Sequence, residues 1–188
     1  MRIGFKTFKK HDNKSLSFCK QCGSSLDHRH IEGKLRQTCT SKNCNYIEWS
    51  NPIPIVGGII EVADGIVLAH NKSWPCEVYS IITGFLESAE TPLEAIVREI
   101  KEELGLETKD SPESIGIYSN FTNNQLLLTY HVECEGNIVL GEELDSYKIV
   151  TKDAFRKWPF EQGILIGESS TSILAKKDWL GSFSFNIK

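Results

Sequence analysis

The sequence predicts an α/β fold, with a mixed sheet flanked by helices and a small metal-stabilised segment ahead of it. Three observations lead to this prediction. A central segment has the apolar spacing of a helix, several runs rich in β-branched residues have the length of strands, and four of the six cysteines form two close pairs near the N-terminus. Helices and strands mixed in this way pack as layers around one core.

The helix is predicted over residues 91–106, where apolar residues recur at intervals of three and four. Thr91 suits the N-cap, Pro92 the first helical position and Glu94 the far end of a capping box. Gly105 supplies the stop. The apolar residues expected on one face are Leu93, Ile96, Val97, Ile100 and Leu104.

Strands are predicted on both sides of this helix. The run 54–62 is apolar enough for a buried strand, residues 63–65 form a hairpin turn, and 66–70 returns as its partner. A third strand is predicted over 78–82, followed by a glycine turn at Gly84. The remaining predictions are strands at 114–119, 125–133 and 146–150 and short helices at 152–158 and 170–180.

Composition excludes several classes of protein. With 188 residues, 40% hydrophobic and 24% charged, the chain is too apolar to be disordered. It has no apolar run near the roughly 20 residues that a membrane helix needs and no secretory signal, so we expect a cytoplasmic protein. The net charge of −4 conceals two opposed regions: residues 1–50 hold 10 basic against 4 acidic residues, and residues 84–112 hold 3 against 8.

The paired cysteines predict a zinc site. Two residues separate the first pair, four separate the second, and sixteen lie between the pairs, a spacing typical of a tetrahedral four-thiolate centre. His28 or His30 could replace one thiolate, although such histidines are more often solvated. Four thiolates leave no open coordination position, so the zinc would be structural. The proposed ligands are Cys19, Cys22, Cys39 and Cys44, with Cys76 and Cys134 as bystanders.

The basic charge of the cysteine segment has two interpretations. Zinc ribbons often bind nucleic acid, and the excess of lysine and arginine fits that role. The linear sequence shows no basic stripe interleaved with aromatic residues that could stack on bases. We therefore favour a small stabilising lobe over a nucleic-acid-binding one.

A set of glutamates on the predicted helix indicates a second metal site. Glu99, Glu102 and Glu103 are three and four residues apart, so their carboxylates project from one side. Three like charges repel, and Mg²⁺ or Mn²⁺ would neutralise them with the oxygen ligands that these ions prefer. A solvated acidic face is the alternative. The glycine loop before the helix and Glu90 favour the metal site.

The segment 84–106 resembles the complete signature of the Nudix hydrolases. Gly84 is followed after five residues by Glu90 and after seven more by Arg98-Glu99-Ile100-Lys101-Glu102-Glu103-Leu104-Gly105-Leu106. The resemblance implies an α/β/α sandwich with a mixed sheet. It also implies cleavage of a nucleoside diphosphate linked to another group, with the signature glutamates binding divalent metal beside the diphosphate.

Roles for individual residues follow from this resemblance. Glu99 and Glu103 are the expected metal ligands, Glu102 is a third ligand or the base that activates water, and Arg98 orients the glutamates. Gly84 and Glu90 shape the loop. Some family members add a carboxylate from a later loop, and of Glu142 and Glu143 we prefer Glu142. Phe121 or Trp74 could stack on a base.

The zinc segment narrows the resemblance to one branch. Two cysteine pairs, Tyr46 and Asn51-Pro52-Ile53-Pro54 before the first strand are similar to the NADH pyrophosphatase group and its zinc-ribbon relatives. The stretch 118–126 departs from that group's Ser-Gln-Pro-Trp-Pro-Phe-Pro motif, so FAD, ADP-ribose and NADH are all candidate substrates. The alternative is a protein that binds nucleic acid or processes RNA caps through the ribbon.

The predicted organisation is therefore a flexible basic tail (1–14), a zinc ribbon (15–50) and a Nudix hydrolase domain (51–188). Mg²⁺ or Mn²⁺ and structural Zn²⁺ are the expected cofactors, and a small nucleotide is the expected substrate. Nucleic acid is a less favoured partner, a membrane partner is not expected, and a homodimer is consistent with related enzymes.

Overall fold

The structure is a computed structural model that describes residues 17–76, 78–121 and 123–157. The chain divides between Asn51 and Pro52 into two compact units, each with its own sheet. The predicted tail at 1–14 and the predicted helix at 170–180 lie outside the described residues. In the part of the chain that is described, neither helix has the length and apolarity to cross a membrane.

The N-terminal unit contains a three-stranded antiparallel sheet made of β1 (Leu26–Ile31), β2 (Lys34–Cys39) and β3 (Ile47–Glu48), in that order. Glu32 and Gly33 join β1 to β2 with φ values of 49° and 76°. Two positive φ angles in a two-residue loop twist the hairpin in the sense that its strands require.

The C-terminal unit is built on a seven-stranded mixed sheet. Its path is β10-β5-β4-β9-β7, with β6 paired to β4 and β8 paired to β9. Strands β4 and β9 run parallel, and the other pairs are antiparallel. The strands are β4 (Ile53–Val62), β5 (Gly65–Asn71), β6 (Ile82–Phe85), β7 (Glu107–Thr108), β8 (Glu113–Asn120), β9 (Gln125–Glu135) and β10 (Leu144–Val150).

Helix α1 (Pro92–Leu104) follows the prediction at both ends. Thr91 is the N-cap and shares a capping box with Glu94, and Gly105 ends the helix at φ 66°. The buried residues are Ala95, Ile96, Ile100 and Leu104. Leu93, predicted on the apolar face, is instead 42% exposed, since it lies in the first turn of α1, ahead of the buried residues.

The sheet of the C-terminal unit carries a core on each face. On one face, α1 packs against residues such as Val56 and Ile60 of β4. On the other face, Ile59 of β4 packs with Phe155 of α2 (Lys152–Lys157). Alternate residues of β4 thus serve opposite cores, as the two-residue period of a strand requires. The predicted α/β/α sandwich with a mixed sheet is confirmed.

The third predicted strand is wrong in its position. The segment 78–82 contributes an isolated bridge between Ser80 and Ala69, and the strand itself is β6, which pairs with β4. Gly84, predicted as a turn, lies inside β6 opposite Val56. Pairing with the long, buried β4 sets the position of this strand, which a local propensity for strand does not specify.

Candidate active site and metal centres

Arg98 binds three carboxylates on the exposed side of α1. Its guanidinium donates to both oxygens of Glu90 at 2.8 and 3.0 Å and to the main-chain oxygen of Phe85 at 3.1 Å. It also donates to Glu99 at 2.8 Å and to Glu102 at 3.0 Å. The Arg98 hydrogen bonds hold the pKa of Glu90 below its ordinary value. One cation thus fixes the positions of three side chains.

Glu99 lies directly against the main chain of β6. A Cβ atom at Gly84 would stand 1.9 Å from Cδ of Glu99, so glycine is needed for this close approach. The Glu99 side chain is only 12% exposed. Burial raises its pKa, and the neighbouring Arg98 only partly counteracts that effect.

Glu103 lies one helical turn beyond Glu99 and is largely shielded from solvent. Burial, together with the charges of Glu99, Glu143 and Glu102, raises its pKa to about 8. A carboxyl group in this environment is protonated at neutral pH unless a cation is present. A divalent cation beside it would favour the ionised form.

The loop between β9 and β10 caps the end of α1 and brings two more carboxylates to the site. Val139 N donates to the Leu104 oxygen at 2.8 Å, and Gly141 N donates to the Glu103 oxygen at 2.9 Å. These contacts satisfy main-chain oxygens that a helix end leaves unpaired. The loop therefore delivers Glu142 and Glu143 to the side of α1 that carries Glu103.

The β5–β6 connection holds this loop from the other side. The main-chain N–H of Lys72 donates to the main-chain oxygen of Glu143 at 3.0 Å, and its Nζ donates to the main-chain oxygen of Glu142. Asn71 Nδ2 lies 3.4 Å from a carboxylate oxygen of Glu143. Of the two loop glutamates, Glu143 is the one whose charge raises the pKa of Glu103.

Arg98, the last three glutamates of α1 and both glutamates of the β9–β10 loop line one cleft of about 510 Å³. Phe85 lines it and is 58% exposed, although it is apolar. A smaller cavity of about 170 Å³ adjoins Glu103 and Glu143 and includes Trp74. Phe121 is 92% exposed and lies outside the cleft lining. The charged and polar residues of the cleft lining are Thr83, Glu87, Arg98, Glu99, Glu102, Glu103, Gln125, Glu142 and Glu143.

The donor set of the cleft suits a hard divalent cation. It offers carboxylate oxygens, with room left for water and a phosphate group, which is how Mg²⁺ is usually bound. Two of the carboxylates, Glu99 and Glu103, have raised pKa values that a cation would reverse. Glu99 and Glu102 are held by Arg98, so their free oxygens are already oriented.

The four paired cysteines converge in the N-terminal unit, with their Sγ atoms all within 4.8 Å of one another. Cys19 and Cys44 are 3.7 Å apart at sulfur, and Cys22 and Cys39 are 3.4 Å apart. A zinc tetrahedron with bonds of about 2.3 Å has edges of about 3.8 Å, so the cluster fits this ion. The remaining two cysteines lie elsewhere.

The peptide turns around the cysteines support the same fit. Gln21 N lies 3.4 Å from Cys19 Sγ, and Ser41 N lies 3.4 Å from Cys39 Sγ. Such N–H donors stabilise thiolates. Gly23 follows the first pair at φ 74°, in the conformation that favours glycine. His28 and His30 are exposed on β1 and are not members of the cluster.

Comparison with known proteins identifies the family. The family model described as NUDIX domain matches residues 52–165, more than half of the chain. The chain belongs to the Nudix family. The predicted membership is thereby confirmed.

Curated relatives of this Nudix protein place it near two kinds of enzyme. It is 27% identical over 149 residues to an NAD-capped RNA hydrolase NudC of Pseudomonas aeruginosa, covering 78% of this chain and 52% of that protein. It is 28% identical over 114 residues to the mouse mitochondrial NAD(P)H pyrophosphatase NUDT13, covering 61% of this chain and 31% of that protein. The chain thus spans about half or less of these relatives.

Solved structures agree on the Nudix fold. A NUDIX hydrolase from Nitrosomonas europaea superimposes with a TM-score of 0.67 at 23% identity, covering 85% of this chain and 91% of that one. An ADP-ribose pyrophosphatase from Streptococcus suis gives 0.53 at 16% identity, covering 68% and 91%. At these identities the likeness concerns the fold alone.

The structure brings the predicted Nudix signature residues together. Glu90, Arg98, Glu99 and Glu102 form one hydrogen-bonded network, and Glu103 lies beside it in the cleft. Two groups that the structure places here carry no distinctive signal in the sequence. Phe85 lacked a signal because an aromatic residue next to a glycine is common. Lys72 and Asn71 lacked one because their contacts depend on a loop about 70 residues away.

Proposed function

We propose that this Nudix protein is a divalent-metal-dependent hydrolase that cleaves the diphosphate bond of a nucleoside diphosphate linked to another moiety. The observation that carries the proposal is the pair Glu99 and Glu103, two shielded carboxylates with raised pKa values on the wall of an open cleft. Holding such groups together costs stability, and a bound cation offsets that cost.

The residues divide the chemistry among them. Glu99, Glu103 and one loop glutamate hold Mg²⁺ or Mn²⁺, which when bound neutralises diphosphate oxygens and activates water. Glu102, 59% exposed at the cleft and oriented by Arg98, is available to accept a proton from the attacking water. Arg98 keeps these carboxylates aligned, while Gly84 and Glu90 fix the segment around them.

Of the two loop glutamates, we favour Glu143 as the metal ligand, whereas the sequence alone favoured Glu142. Glu143 interacts electrostatically with Glu103 and receives the side-chain amide of Asn71. Both residues line the cleft, but Glu143 also lines the smaller cavity beside Glu103. These contacts support a ligand role for Glu143.

The substrate class follows from the apolar wall of the cleft. Phe85 presents an exposed ring in the same cleft as the carboxylates, and a nucleobase or nicotinamide ring stacks well on such a surface. FAD, ADP-ribose and NADH all join a ring system to a diphosphate. The two relatives are named for NAD-capped RNA and NAD(P)H as what they act on. Phe121 and Trp74 stay candidates for a second stacking contact.

The test is a panel incubation of the full chain with FAD, NADH, NAD, ADP-ribose and diadenosine polyphosphates, each with Mg²⁺ or Mn²⁺ and each with a chelator. We expect release of two monophosphates from at least one dinucleotide, dependent on metal. No release from any member of the panel would overturn the proposal.

A second candidate is removal of a dinucleotide cap from RNA. It is favoured by the similarity to the Pseudomonas NAD-capped RNA hydrolase and by the basic N-terminal unit. Comparing an NAD-capped RNA with free NAD at equal concentration separates the two: a preference for capped RNA in kcat/KM supports the cap, and a preference for free NAD contradicts it.

The remaining features of the protein complete the proposal. Residues 15–50 serve as a zinc ribbon whose four thiolates hold a structural Zn²⁺, and residues 51–188 serve as the hydrolase domain. We also propose a cytoplasmic location, because the two cysteines outside the ribbon, Cys76 and Cys134, form no disulfide, as is usual in a reducing compartment. A homodimer stays a prediction, which the elution volume and scattering mass of the purified protein would test.

A further inference from the structure

The β1–β2 hairpin of the N-terminal unit gathers cations on one face. Arg29 of β1 lies directly opposite Arg36 of β2, and Ile31 lies opposite Lys34. Side chains directly opposite each other, and two residues apart on one strand, share a face of a sheet. Arg29, Lys34 and Arg36 are therefore adjacent on this face.

Trp49 completes the cationic face. The Arg36 guanidinium lies 4.4 Å from the centre of the Trp49 ring, and its Nη1 donates to the Trp49 main-chain oxygen at 3.0 Å. Trp49 is 41% exposed, although it is large and apolar. A basic stripe that includes an aromatic ring is thus present in the folded chain, although no such stripe is visible in the linear sequence. We call Arg29, Lys34, Arg36 and Trp49 the hairpin stripe.

Nearby carboxylates leave the hairpin stripe positively charged. Asp27 shares the face, but it is one carboxylate against the three cations that β1 and β2 place there. Glu48 lies opposite Gln37, which puts it on the other face, and it is engaged by Lys20 and Tyr46. In the part of the chain that the structure describes, no ion pair involves a residue of the stripe.

The arrangement costs stability in the free protein. Like charges directly opposite each other in a sheet repel. Nε of Arg36 is buried and lacks a hydrogen-bond partner among the described residues. A negative partner would offset the repulsion between Arg29 and Arg36, and a partner that also stacks would use the exposed ring of Trp49.

We propose that the hairpin stripe binds single-stranded nucleic acid. Backbone phosphates lie along Arg29 and Lys34, and a base stacks on the surface formed by Arg36 and Trp49. Phosphate and an aromatic base in alternation are the chemistry that cations and an exposed ring recognise together. The site does not depend on the carboxylate cleft and stands whether or not the protein hydrolyses diphosphates.

The experiment measures binding of the full zinc-loaded chain to a fluorescent oligonucleotide of about 12 nucleotides by anisotropy. The oligonucleotide carries a 5′-hydroxyl and no diphosphate, so it cannot be a substrate for the cleft. Single-stranded RNA, single-stranded DNA and duplex DNA form three arms. We expect both single strands to bind more tightly than the duplex at roughly 50 mM salt.

The variants separate charge from stacking. Arg29→Gln is expected to weaken binding about 5-fold and to reduce the slope of log affinity against log salt by about 0.7, as loss of one phosphate contact requires. Trp49→Leu is expected to weaken binding about 10-fold with the salt slope unchanged. Lys42→Gln removes the same charge from an exposed residue outside the sheet and should change affinity less than 2-fold.

Three results would overturn the proposal: no binding of single strands at low salt, equal losses in Arg29→Gln and Lys42→Gln, or tighter binding of the duplex. Zinc content and the melting curve of each variant are measured alongside, and Arg29→Lys should restore most of the affinity because it restores the charge. Dinucleotide hydrolysis by Arg29→Gln should equal that of the wild type, so failure in one assay is distinct from failure in the other.

Discussion

At the scale of the residue, the raised pKa of Glu103 links the stability of the fold both to pH and to the binding of a cation. Its pKa of about 8 means that unfolding the metal-free protein releases a proton at neutral pH. The folded-state pKa lies above the unfolded value, so the stability linked to this group is present below about pH 4.5 and is lost as pH rises toward 8. A bound divalent cation would reverse the shift and remove the loss.

Replacing Glu103 by glutamine separates these two effects. We expect Glu103→Gln to lower kcat/KM roughly 10³-fold, because a carboxylate of the reaction site is lost. Without metal, the variant should melt at a higher temperature than the wild type near pH 8 and at a similar temperature near pH 4. Hydrolysis assays and thermal melting across this pH range measure both. Glu113→Gln, an exposed carboxylate on β8, is the matched control and should change neither.

The adjacent glutamates of the β9–β10 loop offer a sharper comparison. Glu143 interacts with Glu103, whereas Glu142 is held through its main-chain oxygen by Lys72. We expect Glu143→Gln to raise the Mg²⁺ concentration needed for half-maximal activity at least 10-fold, because losing even an outer-shell partner of a metal ligand costs about 10- to 100-fold in affinity. Glu142→Gln should raise it less than 3-fold. Metal titrations of the two variants decide this, and the reverse order would restore Glu142 as the ligand.

At the scale of the element, α1 and the β9–β10 loop that caps it pack so closely that a change in one displaces the other. Gly141 fits against the last turn of α1: a Cβ atom there would stand 2.4 Å from the Glu102 main-chain oxygen and 3.3 Å from Cα of Glu103. Main-chain atoms of a helix cannot move aside as the end of a side chain can. A side chain at this position must therefore push the loop, and Glu142 and Glu143 with it, away from α1.

Gly141→Ala tests whether this loop positions the metal ligands. A displacement of about 1 Å can cost 10²-fold in rate, and we expect a loss of that order at low Mg²⁺ with partial recovery at high Mg²⁺. A purely structural defect would not respond to metal. Gly116→Ala adds the same methyl group against the far end of Tyr118 on β8 and should leave the metal dependence unchanged. Equal metal dependence in both variants would contradict the positioning role.

The elements also show which features sequence could predict. Helix α1 was predicted to within two residues because its caps, Thr91 and Gly105, act on their own neighbours. The strand β6 was placed too early because its partner, β4, lies about 30 residues away. The hairpin stripe was missed for the same reason: Arg29, Arg36 and Trp49 are separated in sequence and meet only through strand register.

At the scale of the whole molecule, the six cysteines lie in three different environments across the two compact units. Four converge in the N-terminal unit and fit a zinc ion. In the other unit, Cys76 is exposed, whereas Cys134 is 3% exposed and burial raises its pKa to about 12. Thiolate is the reactive form of cysteine, so these three environments differ in reactivity.

Titrating the full chain with an aromatic disulfide reagent should reveal these three classes in order. Cys76 is expected to react first and alone, the four ribbon thiols only after a chelator removes about one zinc per chain, and Cys134 only after denaturation. Absorbance of the released thiol and metal analysis of the same samples measure each step. Cys76→Ser should abolish the first phase and leave the other two. Rapid reaction of five thiols before chelation would show that the paired cysteines do not hold zinc, because bound thiolates are protected.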